Sequence, residues 1–119
     1  MKNVLWVSRH EMTAPQRADL NRIMGGAFRL IPWTDTVHDV AELEPALRAA
    51  DAVAAVLPPN LLSRLLELAD GKPVLRAASR REPTGRFCTL PDGRREPEFA
   101  FVHSYWEQIL RVDIQTRRL

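Results

Sequence analysis

Short apolar runs alternate along the chain with longer stretches in which apolar residues recur every three or four positions. The runs 4–7 and 52–57 are continuous, which is typical of strands that are buried on both faces of a sheet. The spacing of Leu20, Ile23 and Met24 instead predicts a helix that buries one side. Strands that alternate with helices in this way predict right-handed crossovers and a parallel sheet.

Capping residues and glycines set the boundaries of the predicted elements. Thr13 is predicted to cap the first helix, with Pro15 in its first turn and Gly25 at its end. Asn60 is predicted to cap the helix that follows the third strand. The predicted strands are 4–7, 28–31, 52–57, 74–78 and 99–102, and the predicted helices begin near Thr13, near Leu43 and at Asn60.

The second half of the chain is less regular. Residues 79–98 contain prolines and glycines without periodicity, which predicts a long basic loop with a hairpin turn at residues 91–93. Residues 110–115 alternate apolar and polar side chains and predict an exposed strand, with a helix over 104–112 as the alternative. The predicted fold class is α/β. We expect a single, minimal, Rossmann-like three-layer domain over residues 1–119, with a mostly parallel sheet and a β-rich C-terminal appendage.

Composition excludes several classes of protein. The chain carries 17 Lys and Arg against 15 Asp and Glu, a net charge of +2 that argues against a long nucleic-acid partner. Six arginines between positions 76 and 95 nevertheless make the second half the expected source of anion-binding charge. A single cysteine and three scattered histidines predict neither a disulfide framework nor a metal site. The first apolar run is too short for a signal peptide or a membrane span, so we expect a cytoplasmic protein without a membrane partner.

Candidate chemistry lies in the loops that follow the predicted strands, because ligands of open α/β sheets bind beyond the carboxyl ends of the strands. These loops combine arginines that bind oxyanions, hydroxyl groups that donate hydrogen bonds, and helix N-termini with free N–H groups. They therefore predict a phosphate-binding rim. The candidate residues are Ser8, Arg9, His10, Thr13, Trp33, Asp35, Asn60, Ser79, Arg80 and Arg81.

Each candidate also has a purely structural interpretation. His10 can move a proton near neutral pH while Arg9 holds a phosphoryl oxygen, or both can simply face solvent. Trp33 can stack on a base or pack in the core, and Asn60 can contact a base or only cap its helix. Asp35 is either a general base or part of a turn, and the basic loop either clamps a polyphosphate or is solvated. No G-x-G-x-x-G or P-loop motif follows a strand, so neither dinucleotide nor P-loop chemistry is expected.

Two segments carry a resemblance to a known family. The first, 4–16, is an apolar strand followed by a serine, a histidine, a threonine and a glutamine, with Arg9 between the serine and the histidine. The second, 51–62, is an apolar strand that ends in a Leu-Pro-x-x-Leu pattern. Together they resemble the small CRISPR-associated ring nucleases, which are related to the CRISPR-associated Rossmann-fold (CARF) domain. The resemblance covers residues 1–80.

The resemblance implies a homodimer that binds cyclic oligoadenylate, the second messenger of type III CRISPR defence, and linearises it without a metal or other cofactor. The substrate's own 2′-hydroxyl would attack the adjacent phosphate, while the protein orients the ribose and neutralises the developing charge. For such an enzyme we expect Ser8, Arg9 and His10 to be the catalytic residues, and the candidate residues elsewhere on the rim, Thr13, Trp33, Asp35, Asn60, Ser79, Arg80 and Arg81, to bind the substrate. The alternatives are a sensor of the same fold that binds the nucleotide without cutting it, and a protein that only binds a partner.

Overall fold

The computed structural model describes all residues from 1 to 119 and has a mixed α/β architecture. It contains five strands, three α-helices and one short 3₁₀ helix. None of the helices is long and apolar enough to cross a membrane. The elements are β1 (Lys2–Val7), α1 (Ala14–Ile23), β2 (Phe28–Trp33), the 3₁₀ helix (Val40–Leu43), α2 (Glu44–Ala49), β3 (Ala52–Ala55), α3 (Pro59–Ala69), β4 (Val74–Thr89) and β5 (Arg95–Gln108).

The five strands form one sheet in the order β2-β1-β3-β4-β5. The first four strands are parallel, and β5 runs antiparallel beside β4. The predicted mostly parallel α/β sheet is therefore confirmed. The chain moves from β1 outward to β2 and then returns past β1 to β3, so the direction of winding reverses between β1 and β3.

Two separate apolar cores lie on opposite faces of this sheet, because successive side chains of a strand point to opposite sides. Val4 and Trp6 pack with Leu20 of α1 in one core. Leu5 and Val7 pack in the other core, with side chains from α2 and α3. All four of these β1 residues are buried, which explains why the strand reads as a continuous apolar run.

The helix starts follow local capping chemistry. Thr13 caps α1: its side chain accepts a hydrogen bond from the Gln16 amide, and the Gln16 side chain accepts one from the Thr13 amide. The prediction for α3 was wrong, because its N-cap is Pro58 and Asn60 lies inside the first turn. The reason is the Pro58-Pro59 pair, since the fixed φ of proline suits the first helical position and its missing N–H would have had no partner there.

The interval 79–98 is not a loop, which corrects the prediction. It lies within β4 and β5, which pair with one another from Leu75 and Gln108 out to Thr89 and Arg95, with the hairpin turn at residues 91–93 as predicted. Two strands that pair only with each other bond half of their backbone groups to one another and leave the other half to water, so they need no apolar periodicity. Prolines are tolerated at their open edges. We call residues 79–102 of this ribbon the arm and the rest of the chain the body.

The arm projects from the body. Strand β3 pairs with β4 only at Val74 and Leu75, so beyond that point β4 has no neighbour except β5. The radius of gyration is 17.4 Å, whereas a compact chain of this length has about 13.5 Å. No residue of the arm is buried.

The predictions for the C-terminal segment were also wrong. Residues 109–119 form neither the strand predicted over 110–115 nor the alternative helix over 104–112. Strand β5 ends at Gln108, opposite Leu75, and β4 begins at Val74 directly after a proline. An antiparallel continuation past Gln108 therefore has no strand left to pair with.

Candidate functional site

A crevice of about 310 Å³ opens at the carboxyl ends of β1, β2 and β3. Its polar lining is formed by Ser8 and Arg9 from the loop after β1 and by Asp35 and Thr36 from the loop after β2. An apolar wall that includes Val56 and Pro58 follows β3. The crevice therefore lies where the direction of winding reverses, which is the position at which open α/β sheets bind their ligands.

Two hydrogen bonds to backbone groups hold Ser8 in place, one at its amide and one at its hydroxyl. Its amide donates to the carbonyl oxygen of Trp33 over 3.1 Å, which extends the pairing of β1 with β2 by one residue. Its hydroxyl oxygen accepts a hydrogen bond of 3.1 Å from the amide of His10. Because this bond uses only an oxygen lone pair, the hydroxyl hydrogen of Ser8 is free to be donated into the crevice.

Arg9 supplies the positive charge of the crevice. One terminal nitrogen of its guanidinium donates to the hydroxyl oxygen of Thr36, which ties the loop after β1 to the loop after β2. Arg9 forms no ion pair, so its remaining N–H groups are available to an oxyanion. Asp35 lines the same crevice and places one negative charge near this cation. The crevice thus offers one guanidinium, two hydroxyl groups and one carboxylate.

The side chain of His10 does not line the crevice. Its residue is exposed, and its backbone carbonyl accepts a hydrogen bond of 2.9 Å from the indole nitrogen of Trp6. Thr13 lies further along the same loop, where its hydroxyl caps α1. The structure therefore brings Ser8 and Arg9 together and leaves the other two candidates of this loop outside.

Two further candidates lie near the crevice without lining it. Trp33 ends β2 and packs against the core on the α2 and α3 side, where its indole nitrogen is buried without a hydrogen-bond partner. Asn60 is exposed in the first turn of α3. Thr36, which the sequence analysis did not single out, occupies the position beside Arg9. Its only signal in the sequence is its place next to Asp35 in the same loop.

Ser79, Arg80 and Arg81 belong to the arm. By the register of β3 with β4, Arg76 is level with the end of β3, so these three residues lie about 10–17 Å further along the strand. Arg80 pairs with Glu82 over 2.6 Å and also donates to a backbone carbonyl of β5. Arg81 stacks on an aromatic ring of the arm. The expected basic loop beside the rim is therefore a projecting ribbon, and the side chains of Arg80 and Arg81 are engaged within it.

A partly buried polar pair outside the crevice joins the body to the base of the arm. His103 of β5, with its side chain only 5% exposed, contacts Asp19 of α1 over 2.9 Å. This contact and the Arg22 guanidinium hold the pKa of Asp19 below its ordinary value of 3.8. The two partners are 84 positions apart, and no local motif in the sequence connects them.

No group of three or more His, Cys, Asp or Glu side chains is arranged to hold a metal ion. Comparison of the chain with protein-family models, with curated proteins and with solved structures gave no significant match. The geometry of the crevice is therefore the basis for any functional conclusion.

Proposed function

We propose that the chain is a Rossmann-like ring nuclease that binds cyclic oligoadenylate at this crevice and linearises it through the ligand's own 2′-hydroxyl. The observation that carries the proposal is the position and content of the crevice. A guanidinium with free N–H groups and a serine hydroxyl with a free hydrogen converge where the strand order reverses. Both groups suit a phosphodiester, which presents oxygens and no donor.

In this proposal the residues of the crevice position one phosphate. Arg9 binds the non-bridging oxygens and stabilises the negative charge that grows on them as the 2′-hydroxyl attacks. Ser8 donates to the same phosphate and fixes the line of attack. The bond to the 5′-oxygen breaks, and a 2′,3′-cyclic phosphate and a 5′-hydroxyl result. His10 lies two residues from Ser8 and is the candidate proton shuttle: it takes the proton that the 2′-hydroxyl loses and gives one to the 5′-oxygen that leaves.

The size of the crevice supports a shared site. A volume of about 310 Å³ is near the lower end of the range of about 300–1,000 Å³ that small-molecule pockets span. A ring of several nucleotides extends beyond such a crevice. Two crevices related by a two-fold axis match a ligand that itself repeats, so the proposal includes a homodimer.

The position of His10 favours a second candidate function, a sensor that binds the nucleotide without cutting it. The residue is exposed and does not line the crevice, so no imidazole is held against the crevice within one chain, and the carboxylate there belongs to Asp35. Binding requires only Arg9 and the hydroxyl groups. Cleavage additionally requires a group that reaches the leaving oxygen.

The test is to incubate the purified protein with cyclic tetra-adenylate and cyclic hexa-adenylate in EDTA, and to separate the products by chromatography. We expect a linear product with a 2′,3′-cyclic phosphate end. Arg9→Ala should lower affinity about tenfold to a hundredfold, because one charge-assisted contact to phosphate is lost. Arg29→Ala is the matched control, since Arg29 is exposed on β2 and does not line the crevice.

The outcomes separate the two candidates. His10→Ala that binds normally but no longer cleaves supports the nuclease and the role of His10. Binding without any product at stoichiometric protein supports the sensor. Rings that neither bind nor change, or an Arg9→Ala variant that binds as well as Arg29→Ala, would refute the crevice as the site.

A further inference from the structure

The arm has two chemically different faces. Alternate residues of β5 from Arg95 to Phe101 point to the same side of the ribbon. Residues directly opposite one another in an antiparallel pair also lie on the same side, so this face continues onto β4. We call this side the aromatic face. It comprises Arg95, Pro97, Phe99 and Phe101 of β5 and Arg81, Pro83, Phe87 and Thr89 of β4.

The aromatic face exposes three phenylalanine rings. Phe87, Phe99 and Phe101 are 57%, 41% and 77% exposed. Together they present on the order of 350 Å² of ring surface, given the area of an aromatic side chain. An exposed apolar patch of this size on a monomer is often functional, so the face is a candidate interaction surface.

Two of the five arginines of the arm are neutralised by neighbouring carboxylates. Arg80 pairs with Glu82 over 2.6 Å, and both alternate onto the face opposite the aromatic face. Arg94 pairs with Asp92 over 2.6 Å beside the hairpin turn. The net charge of +2 for the whole chain averages over such pairs. It therefore does not describe the charge of one face of the arm.

The other three arginines of the arm, Arg81, Arg86 and Arg95, form no ion pair. Arg81 and Arg95 belong to the aromatic face, whereas Glu96 and Glu98 alternate onto the opposite face. The aromatic face thus holds two unpaired cations and no carboxylate. Its charge favours a partner that carries negative charge.

The two cations of the aromatic face are held by ring stacking. The guanidinium of Arg81 lies 4.1 Å from the ring centroid of Phe99, and that of Arg95 lies 4.9 Å from that of Phe87. Stacking engages the flat surface of a guanidinium and leaves the N–H groups at its edge free to bind an oxyanion. Phe101 carries no stacked guanidinium and lies directly opposite Arg81. A free ring and a free cation are therefore neighbours.

Single-stranded nucleic acid has the chemistry that fits this face, because its bases stack on aromatic rings while its phosphates contact arginines. From Arg95 to Phe101 the face is about 20 Å long, which is the length of about six stacked nucleotides. A duplex fits less well, since its bases are stacked on one another. A lipid surface also fits less well, because Arg81 and Arg95 would enter the apolar layer with the rings on which they lie.

We propose that the aromatic face of the arm binds a short stretch of single-stranded nucleic acid, with a base stacked on Phe101 and phosphates held by Arg81 and Arg95. RNA and DNA share these groups, so both should bind. None of these three residues lines the crevice, so the site is tested independently of the proposed function. With two or three phosphate contacts, the logarithm of the affinity should fall against the logarithm of the salt concentration with a slope of about −1.4 to −2.1.

The probe is a fluorescein-labelled single-stranded oligodeoxyadenylate of ten nucleotides, titrated with the full chain and followed by fluorescence anisotropy. It has no 2′-hydroxyl, so the reaction proposed for the crevice cannot consume it. Phe101→Ala should lower the affinity about fivefold to a hundredfold, the loss expected for one base–aromatic stack. Leu110→Ala is the matched control, because Leu110 is 82% exposed and lies outside the arm. Phe101→Tyr keeps an aromatic ring and should bind nearly as the wild type does.

The charged contacts are tested in the same titration. Arg81→Ala should weaken binding and reduce the salt slope by about 0.7, because one phosphate contact is lost. Arg29→Ala is its control, since Arg29 is exposed on β2 and far from the arm in the order of strands. Far-ultraviolet circular dichroism establishes that each variant is folded. The salt slope of the wild type decides the charge contribution even if Arg81→Ala fails to fold.

Several outcomes would overturn the proposal. They are no binding of the probe at low salt, equal losses for Phe101→Ala and Leu110→Ala, and equal affinity for a duplex of the same length. Binding that Arg9→Ala abolishes and Phe101→Ala leaves intact would place the strand in the crevice instead. Association with phosphatidylserine vesicles, but not with the oligonucleotide, would assign the face to a lipid surface. Oligonucleotide binding by a protein that neither binds nor cleaves cyclic oligoadenylate would refute the proposed function and leave this site standing.

Discussion

Strand β1 and the outer part of β4 are both β-structure, but their surroundings are opposite. Leu5 of β1 is 0% exposed in the core between the sheet and helices α2 and α3, whereas no residue of the arm is buried. The body is therefore stabilised by its own apolar contacts. The arm relies on backbone pairing and on Arg–Phe stacking, which contribute much less. Hydrophobic burial, and not strand pairing alone, decides which part of this chain is stable within a single copy.

The largest effect should come from the body. Leu5→Ala removes a fully buried side chain from the core that β1 shares with α2 and α3, and should lower the free energy of unfolding by about 2–5 kcal/mol. Urea denaturation measures this loss. Leu5→Met is the control, because it conserves volume and should cost less than about 1.5 kcal/mol. A loss below about 1 kcal/mol for Leu5→Ala would contradict the contrast between body and arm, since the stability of the body would then not depend on its core.

An intermediate effect is expected at the junction of body and arm. Asp19→Ala removes the hydrogen-bond partner of Nε2 in the His103 ring, and the other ring nitrogen, Nδ1, is buried without a partner. The substitution should therefore lower the free energy of unfolding by about 1–3 kcal/mol at pH 7. The pKa of Asp19 is lowered in the folded protein, so unfolding takes up a proton. The stabilisation is therefore complete above pH 3.8 and is lost as the pH falls through the lowered pKa.

The control for this junction is Arg22→Ala, because Arg22 pairs with the same carboxylate but its side chain is 73% exposed. Its cost should stay below about 1 kcal/mol, as for other exposed ion pairs. Urea midpoints of the wild type and Asp19→Ala, measured from neutral to acid pH, should converge below pH 3.8. A difference between the two proteins that grew as the pH fell below 3.8 would contradict the assigned sign.

The smallest effect should come from the arm. Phe101→Ser changes a side chain that is 77% exposed, and should alter the free energy of unfolding of the dilute, monomeric chain by no more than about 0.5 kcal/mol. Thermal or urea unfolding at low concentration measures this value. A loss as large as that of Leu5→Ala would show that the arm packs on its own body and would remove the contrast between the two regions.

The sequence predicts the elements that bury apolar side chains. The runs at β1 and β3 are recognisable because both of their faces are covered, and the start of α1 is recognisable from Thr13 and Pro15. The arm was missed because an exposed ribbon needs no apolar periodicity. Asn60 was misplaced because two prolines provide a stronger helix start than an asparagine side chain.

The same distinction holds for the site. Ser8, Arg9 and Asp35 could be placed together from the sequence, because each follows a parallel strand and such strands end at one edge of the sheet. Arg80 and Arg81 could not, because their position depends on where β4 ends, and β4 continues well beyond that edge. The contact of Asp19 with His103 depends on the packing of β5 against α1, which no local pattern encodes.

The prolines in the outer strands affect whether further strands can add to the open edges of the sheet. The carbonyl of Trp33 faces β1, so the nitrogen of Pro32 faces outward on the open edge of the sheet. Pro83 and Pro97 likewise remove amide donors from the two strands of the arm. An additional strand that approached any of these edges would lose hydrogen bonds, which is how natural proteins resist fibril growth. The chain can thus expose a long ribbon to water with little risk of aggregation along its edges.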